Sequence, residues 1–320
     1  MTGRRALRTK KIEGGNEAKT CGFIRWKMKG KQKKGKSGLD KTSLFIASLM
    51  MLGWYILTFP ISNDLINKIY NLNMLNGYAS QTQTYSSDQI AEMMDASRKY
   101  NESIYEEQQK YIFRYRGSAA TDETYESLPS GSETIGSLYI PKINVDIAIG
   151  HGTKDSMLQG EAGHLYGTSL PIDGQNVHAV IAGHSALSTA KLFTDLDKME
   201  KGDTFYITVL DHQYEYTVDQ IVVVLPTDEA QYEQIEEGKN YVTLYTCTPY
   251  GVNTHRLLVR GELTDTKEVD ISSKFRNQYL PGIIKNSVLL ALIILTPLLV
   301  VIIRRIWIEI RGRRRKGKEH

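Results

Sequence analysis

The sequence predicts a mainly β domain, a sandwich or closed barrel with short helices, preceded by a helical stalk and flanked by two membrane-spanning helices. Three observations carry this. Uncharged apolar stretches at 43–61 and 287–303 stand near the two ends of the chain, each beside a block of basic residues. Between residues 136 and 263, short runs rich in Val, Ile, Tyr and Thr alternate with turn signals such as Asp173-Gly174 and Lys201-Gly202-Asp203, the texture of an all-β fold. Upstream of those runs, 87–116 repeats apolar residues at helical spacing among Asp, Glu, Gln and Lys.

The membrane helices follow from length and charge. A bilayer core takes about 20 apolar residues, with a range of roughly 17–25. Both stretches qualify, the second near the lower limit. Pro60 and Pro297 are tolerable in such helices, and Trp54, Tyr55 and Trp307 are the aromatic types found at membrane interfaces. The net charge of +4 conceals a partition: residues 1–42 hold 14 Lys/Arg against 3 Asp/Glu, residues 304–320 hold 8 against 2, and 43–303 hold 18 against 31. The positive-inside rule then puts both basic ends in the cytoplasm and exports the acidic middle. The long basic leader, with no Ala-x-Ala site after the apolar run, reads as an uncleaved anchor rather than a signal peptide. Basic runs directly beside apolar spans are topology determinants, so no nucleic-acid partner is expected.

The elements run in order as follows. Residues 1–42 are Lys/Gly-rich without periodicity, a basic cytoplasmic leader expected to be disordered. Residues 43–62 form the first membrane helix. A helical stalk fills 63–116; its first part, 63–86, is polar and irregular. The helix begins at Ser87 and carries Ile90, Met93, Met94, Tyr100, Ile104, Tyr105, Tyr111 and Ile112. Residues 117–134 are Gly/Ser/Thr/Asp-rich, a flexible flap or lid-like segment. The β domain occupies 135–265, with strands at 136–140, 147–149, 177–181, 204–209, 214–224, 241–247 and 256–263 and one short helical piece near 190–198. A linker at 266–286 leads to the second membrane helix at 287–303 and a basic cytoplasmic tail at 304–320.

Three residues of the β domain invite a chemical reading. Cys247 ends a strand-like run and is followed by a Thr-Pro-Tyr-Gly turn. The only other cysteine, Cys21, lies in the leader, so a disulfide is not expected and a reactive thiol becomes the leading reading, with a small buried hydrophobe as the alternative. Arg256 opens the next strand-like run, where a Cys–turn–Arg hairpin would make the two side chains neighbours. A guanidinium beside a thiolate can stabilise an oxyanion. His184 ends the apolar run Val-Ile-Ala-Gly-His, a rigid mount for a general base, though a structural histidine would fit as well. His255 is the rival base. If Arg256 faces Cys247, strand alternation sends His255 to the opposite face, which favours His184.

These residues and their surroundings resemble a known family. Val-Thr-Leu-Tyr-Thr-Cys247 is similar to the Thr-Leu-x-Thr-Cys signature of sortases, Arg256 falls at the sortase arginine, and Ala-Gly-His184 at the sortase histidine. Gly-Ser-Leu-Tyr-Ile-Pro-Lys-Ile and Gly-His-Leu-Tyr-Gly-Thr-Ser-Leu-Pro-Ile also fit sortase segments. The run from Thr246 to Gly261, the segment Ala-Lys-Leu-Phe-Thr-Asp-Leu and the second membrane span look most like class C, the pilus-assembling sortases.

The resemblance implies a closed eight-stranded sortase-type β-barrel outside the cell membrane of a Gram-positive bacterium. It implies a transpeptidase cleaving Leu-Pro-x-Thr-Gly sorting signals between Thr and Gly. Cys247 would be the nucleophile, His184 the general acid and base, and Arg256 would hold the oxyanion or substrate. Partners would be sorting-signal-bearing surface proteins or pilins, with a pilin lysine as the amine acceptor; no metal or organic cofactor is implied. Two alternatives stay open: anchoring of single surface proteins to peptidoglycan precursor, and a membrane-anchored cysteine hydrolase. Class C members typically carry a lid with an Asp-Pro-aromatic motif over the cysteine. The segment 117–134 lacks it; Asp122, Tyr125, Leu128 and Pro129 are its lid candidates. Ser185 also stands where many class C members have an arginine.

Overall fold

The computed structural model describes residues 41–110, 123–185, 187, 190–270 and 280–316. Nearly all of the basic leader, Tyr111 and Ile112 of the expected stalk helix, and Asp122 lie outside these. The chain divides into two compact units, Met1–Ala47 and Ser48–His320. Of the first, 41–47 are described, and they form the opening turns of helix α1.

Eight strands close into a barrel in the order β1-β2-β3-β4-β7-β8-β6-β5. They are β1 Thr134–Ile140, β2 Val145–His151, β3 Ala162–His164, β4 Val177–Ala182, β5 Thr204–Val209, β6 His212–Val224, β7 Asn240–Thr248 and β8 His255–Glu268. Most neighbours are antiparallel, as hairpin connections dictate; β2 with β3 and β4 with β7 are parallel. Alternation fills the interior with Leu138, Ile140, Ile149, Ile181, Phe205, Ile207, Tyr214, Tyr216, Val242, Leu244 and Val259, all 0% exposed. Burial of each such side chain stabilises the fold by about 1.5–3 kcal/mol. Phe205 and Tyr216 stack with ring centroids 5.4 Å apart. A Cβ on Gly261 would stand 2.6 Å from the Phe205 ring, so a larger residue there cannot coexist with that stack.

Every expected strand is present. Thr204–Val209 matches to the residue. The strand missed, β3, is only Ala-Gly-His, too short for any periodicity to register. β8 runs past 263 because Thr264–Glu268, though exposed, still pairs with the start of β6. The helical piece expected near 190–198 shrinks to one 3₁₀ turn, Leu196–Lys198. Leu192 sits at φ 32°, which breaks a helix, and the amide of Phe193 bonds the carbonyl of His184 at 3.1 Å instead of continuing one.

The helices differ more from expectation. α1 runs from Lys41 to Thr82, through Pro60, so 63–82 is helical rather than irregular. Five asparagines and Gly77 obscure the pattern, since both types are poor helix formers, yet Leu65, Asn71, Leu75, Tyr78, Ala79 and Thr82 are buried at helical spacing. Packing decides the outcome. The Tyr78 hydroxyl donates to Ile135 O (2.9 Å) and accepts from Leu210 N–H (2.7 Å), and Asn71 bonds Ala148 N–H and Gly160 O. This half of α1 is therefore docked on the barrel.

α2, Ser87–Lys110, buries Ile90, Met94, Ser97, Asn101 and Ile104 on one face. The helix starts at Ser87, as expected, and Ser86 caps it: Gln89 N–H donates to Ser86 Oγ and Ser86 N–H to Gln89 Oε1, a reciprocal capping box. Asn101 grips the backbone of Leu170 with both ends of its amide, at 2.7 and 3.0 Å. α3 is the short turn Glu123–Glu126. α4, Leu280–Lys316, and α1 each contain a stretch long and apolar enough to cross a membrane, Pro281–Arg311 and Phe45–Thr82. Their side chains such as Leu52, Leu57, Leu292 and Val300 are more than half exposed. The Trp54 indole N–H donates to Ile293 O at 3.3 Å, joining the two helices. These are candidate membrane anchors.

Candidate active site

Cys247 is the penultimate residue of β7 and Arg256 the second of β8, and the ladder sets them directly opposite each other. Period-two alternation sends Val242, Leu244, Leu257 and Val259 inward and leaves Tyr245, Cys247, Arg256, Leu258 and Arg260 on the outer face. His255 pairs with Thr248 and so falls on the other face from Arg256. Its Nδ1 lies 2.9 Å from the Thr254 hydroxyl.

The parallel β4–β7 pairing aligns the segment bearing His184 with the strand bearing Cys247, 63 positions away in the chain. The register Ala182↔Tyr245 ends the ladder, and three bonds carry the alignment past it. Gly183 N–H donates to Tyr245 O (3.0 Å), Thr246 Oγ1–H donates to Gly183 O (2.7 Å), and Ser185 Oγ–H donates to the carbonyl of Cys247. His184 is thus bracketed on both sides by bonds to the cysteine strand, two residues beyond the last ladder pair. Gly183 is required here: a Cβ would meet the Phe193 ring at 2.7 Å. Cys247 and His184 are both half-buried.

Arg256 is held along one edge. Its Nε–H donates to the Tyr245 hydroxyl at 2.7 Å, and Nη1 donates to Asn253 O and His255 O, each at 3.1 Å. Tyr245 O–H in turn donates to Glu229 Oε2 at 2.8 Å, and that oxygen stands 3.8 Å from Arg256 Nε. Burial opposes the guanidinium's charge, but Tyr245, Cys247 and Glu229 beside it outweigh that and raise its pKa. Burial, then the bond to Glu229, pushes the Tyr245 phenol up as well, so it stays protonated. Neither Tyr245 nor Glu229 was identified from sequence. Tyr245 carried a usable signal, two residues before Cys247 on the same face; Glu229, in the loop after β6, carried none.

That loop, 225–239, lies over the outer face. Thr243 Oγ1–H donates to His178 Nε2 and His178 Nδ1–H to Gln234 O, both at 2.8 Å. Arg260 binds Asp219 and Glu236 and lies 3.9 Å above the Tyr241 ring. His178 is completely buried, which lowers its pKa to about 4, so the ring is neutral at physiological pH.

Three of the four lid candidates, Tyr125, Leu128 and Pro129, are described, and all three are buried. Tyr125 is 0% exposed and packs in the barrel core. Its hydroxyl donates to His164 Nδ1 (2.8 Å) and accepts from Gly152 N–H (3.1 Å), while the ring meets His151 edge-on at 5.0 Å. Leu128 joins the same core, its carbonyl 2.6 Å from His151 Nε2, and Pro129 beside it is buried. Residues 123–130 are therefore docked on the barrel. Among the described residues, no group of three or more His, Cys, Asp or Glu is placed to hold a metal.

A family model described as "Sortase domain" matches residues 138–264. Sortase C1 from Streptococcus agalactiae is 37% identical in sequence, with a TM-score of 0.54 over 60% of this chain and 97% of that one. Sortase C from Clostridium perfringens with the C-terminal cell wall sorting motif is 36% identical, with a TM-score of 0.52 over 60% and 98%. Sortase A of Listeria monocytogenes is 30% identical over 149 residues, 46% of this chain and 64% of that protein. The match thus spans somewhat less than two thirds of that relative's length.

Proposed function

The chain belongs to the sortase family, and on that premise we propose that it is a membrane-anchored, class C-like cysteine transpeptidase acting on Leu-Pro-x-Thr-Gly sorting signals. The observation that carries this is the pairing of Cys247 with Arg256 across β7–β8. The parallel β4–β7 pairing, which ends at Ala182 opposite Tyr245, supports His184 as their partner.

The chemistry follows from what each group can do. The Cys247 thiolate attacks the Thr carbonyl carbon, and the developing oxyanion takes hydrogen bonds from Arg256. The Thr–Gly bond breaks, and His184 supplies the proton that the glycine amine needs to leave. This yields a thioacyl enzyme. An incoming amine then attacks the thioester, loses a proton to His184, and releases Cys247 with a new amide bond. The likeness to sortase C structures favours a pilin lysine as that amine, and hence a role in pilus assembly. The Clostridium perfringens structure with a sorting motif supports the peptide class. The two apolar helices and their basic flanks support a layout with both termini cytoplasmic and the barrel outside.

The test is incubation of the detergent-solubilised chain with a Leu-Pro-x-Thr-Gly peptide, followed by intact mass. A thioacyl adduct on Cys247 is expected and Cys247→Ala should lack it; absence of any adduct with the wild-type chain would overturn the reading. Supplying a lysine-bearing pilin, a peptidoglycan-precursor amine or water alone separates pilin joining, wall anchoring and hydrolysis.

A further inference from the structure

We propose that Tyr245 and Glu229 are a positioning pair for Arg256, fixing which edge of its guanidinium faces the reaction at Cys247. The inference rests on the transpeptidase reading above. The hydrogen-bond directions allow only one arrangement. A guanidinium has five N–H donors and no acceptor, and an ionised carboxylate only accepts. Tyr245, between them, must donate its one proton to Glu229 and accept from Arg256 Nε–H. Nη1 is committed to Asn253 O and His255 O. Among the described residues Nη2 is left with no protein partner, so its two N–H groups are the ones available to an oxyanion or a substrate carbonyl.

Tyr245 is suited to this by register. It stands two residues before Cys247 on the same face of β7, diagonal to Arg256 across the ladder. Glu229 begins the 3₁₀ turn Glu229–Tyr232 of the loop over the outer face. The pair therefore ties the orientation of Arg256 to the placement of that loop. Without the phenol oxygen, Nε–H loses its acceptor and the guanidinium is free to rotate about its long side chain. A misaligned donor then costs rate rather than binding.

The test compares wild type with Tyr245→Phe, which removes one oxygen and keeps the ring. The expected result is a fall in kcat for peptide transfer of about 10- to 100-fold, with KM and the rate of Cys247 alkylation by iodoacetamide within about twofold. Glu229→Gln, which retains an acceptor oxygen for the phenol, should lose less than Glu229→Ala. In ¹⁵N spectra the Arg256 Nε–H resonance should be protected in wild type and shifted or exchange-broadened in Tyr245→Phe. A kcat within twofold of wild type would overturn the proposal. So would a parallel fall in transfer, alkylation and melting temperature, which would mark Tyr245 as merely structural. If the wild-type chain forms no adduct with any sorting peptide, the transpeptidase reading fails instead. The Nε–H resonance then decides the positioning claim alone, and an unchanged signal in Tyr245→Phe would sink it.

Discussion

Ser185 donates its hydroxyl proton to the backbone carbonyl of Cys247, 62 residues away in sequence. This one bond ties the residue after the histidine to the residue bearing the thiol. Replacing Ser185 with Ala leaves that carbonyl without its partner, at a cost of about 1 kcal/mol. The larger effect falls on alignment: transfer should slow about tenfold with KM unmoved, because His184 is no longer held against the cysteine strand. Steady-state kinetics beside a thermal melt would check this; an unaltered kcat would show that the bond does not align the pair.

Gly183 makes the companion prediction. A methyl group there would press on the Phe193 ring at 2.7 Å. Gly183→Ala should cost about 1–3 kcal/mol as an overpacked site and displace His184, lowering kcat by at least tenfold. In a Phe193→Leu background the same substitution should cost less, since the obstructing ring is gone. Equal penalties in the two backgrounds would refute the steric account.

Docking of α2 depends on Asn101. Its amide satisfies both the N–H and the C=O of Leu170, in a buried setting. Asn101→Ala leaves two buried backbone groups unpaired, a loss of about 2–4 kcal/mol. A lowered denaturant midpoint at unchanged slope is the expected outcome. A shift below 0.5 kcal/mol would mean that water replaces the side chain without penalty.

Two buried histidines set an acid limit. His164 and His178 are fully buried, and desolvation lowers each pKa to about 4, whereas a free imidazole titrates near 6.5. Below pH 6.5 the unfolded chain therefore binds more protons than the folded one, so stability falls as the pH drops from 6.5 towards 4 and levels off beneath. Each histidine accounts for a loss of roughly 3 kcal/mol across that window. Melting temperatures from pH 7 to pH 4 would reveal the slope. His178→Gln should remove about half of it, and a flat profile in the wild-type chain would contradict the assignment.

Much of this molecule is legible in its residues because the signals are local. Period-two alternation in Arg256-Leu257-Leu258-Val259-Arg260 sorts inner from outer face within a single strand, and that parity puts His255 on the other face from Arg256. Apolar length and flanking charge mark the two candidate membrane helices without any tertiary information. A thiol strand, a six-residue connection and an arginine strand form a hairpin, so the Cys247–Arg256 pair is readable in ten residues.

What local pattern could not reach was decided by distant partners. The second half of α1 is a helix because Asn71 and Tyr78 bond barrel backbone, and this overrides the weak propensity of an Asn-rich stretch. Residues 123–130, expected to be a flap, are docked on the barrel because His151, His164 and Gly152 bond the Tyr125 hydroxyl or enclose its ring. The class of fold, the two candidate membrane spans and the three candidate catalytic residues were readable from the residues, since each rests on spacing along one chain segment. How the segment bearing His184 is tied to the cysteine strand and how Arg256 is held along one edge were not readable in the residues, because Ser185, Tyr245 and Glu229 act through bonds between segments that come together only when the barrel closes.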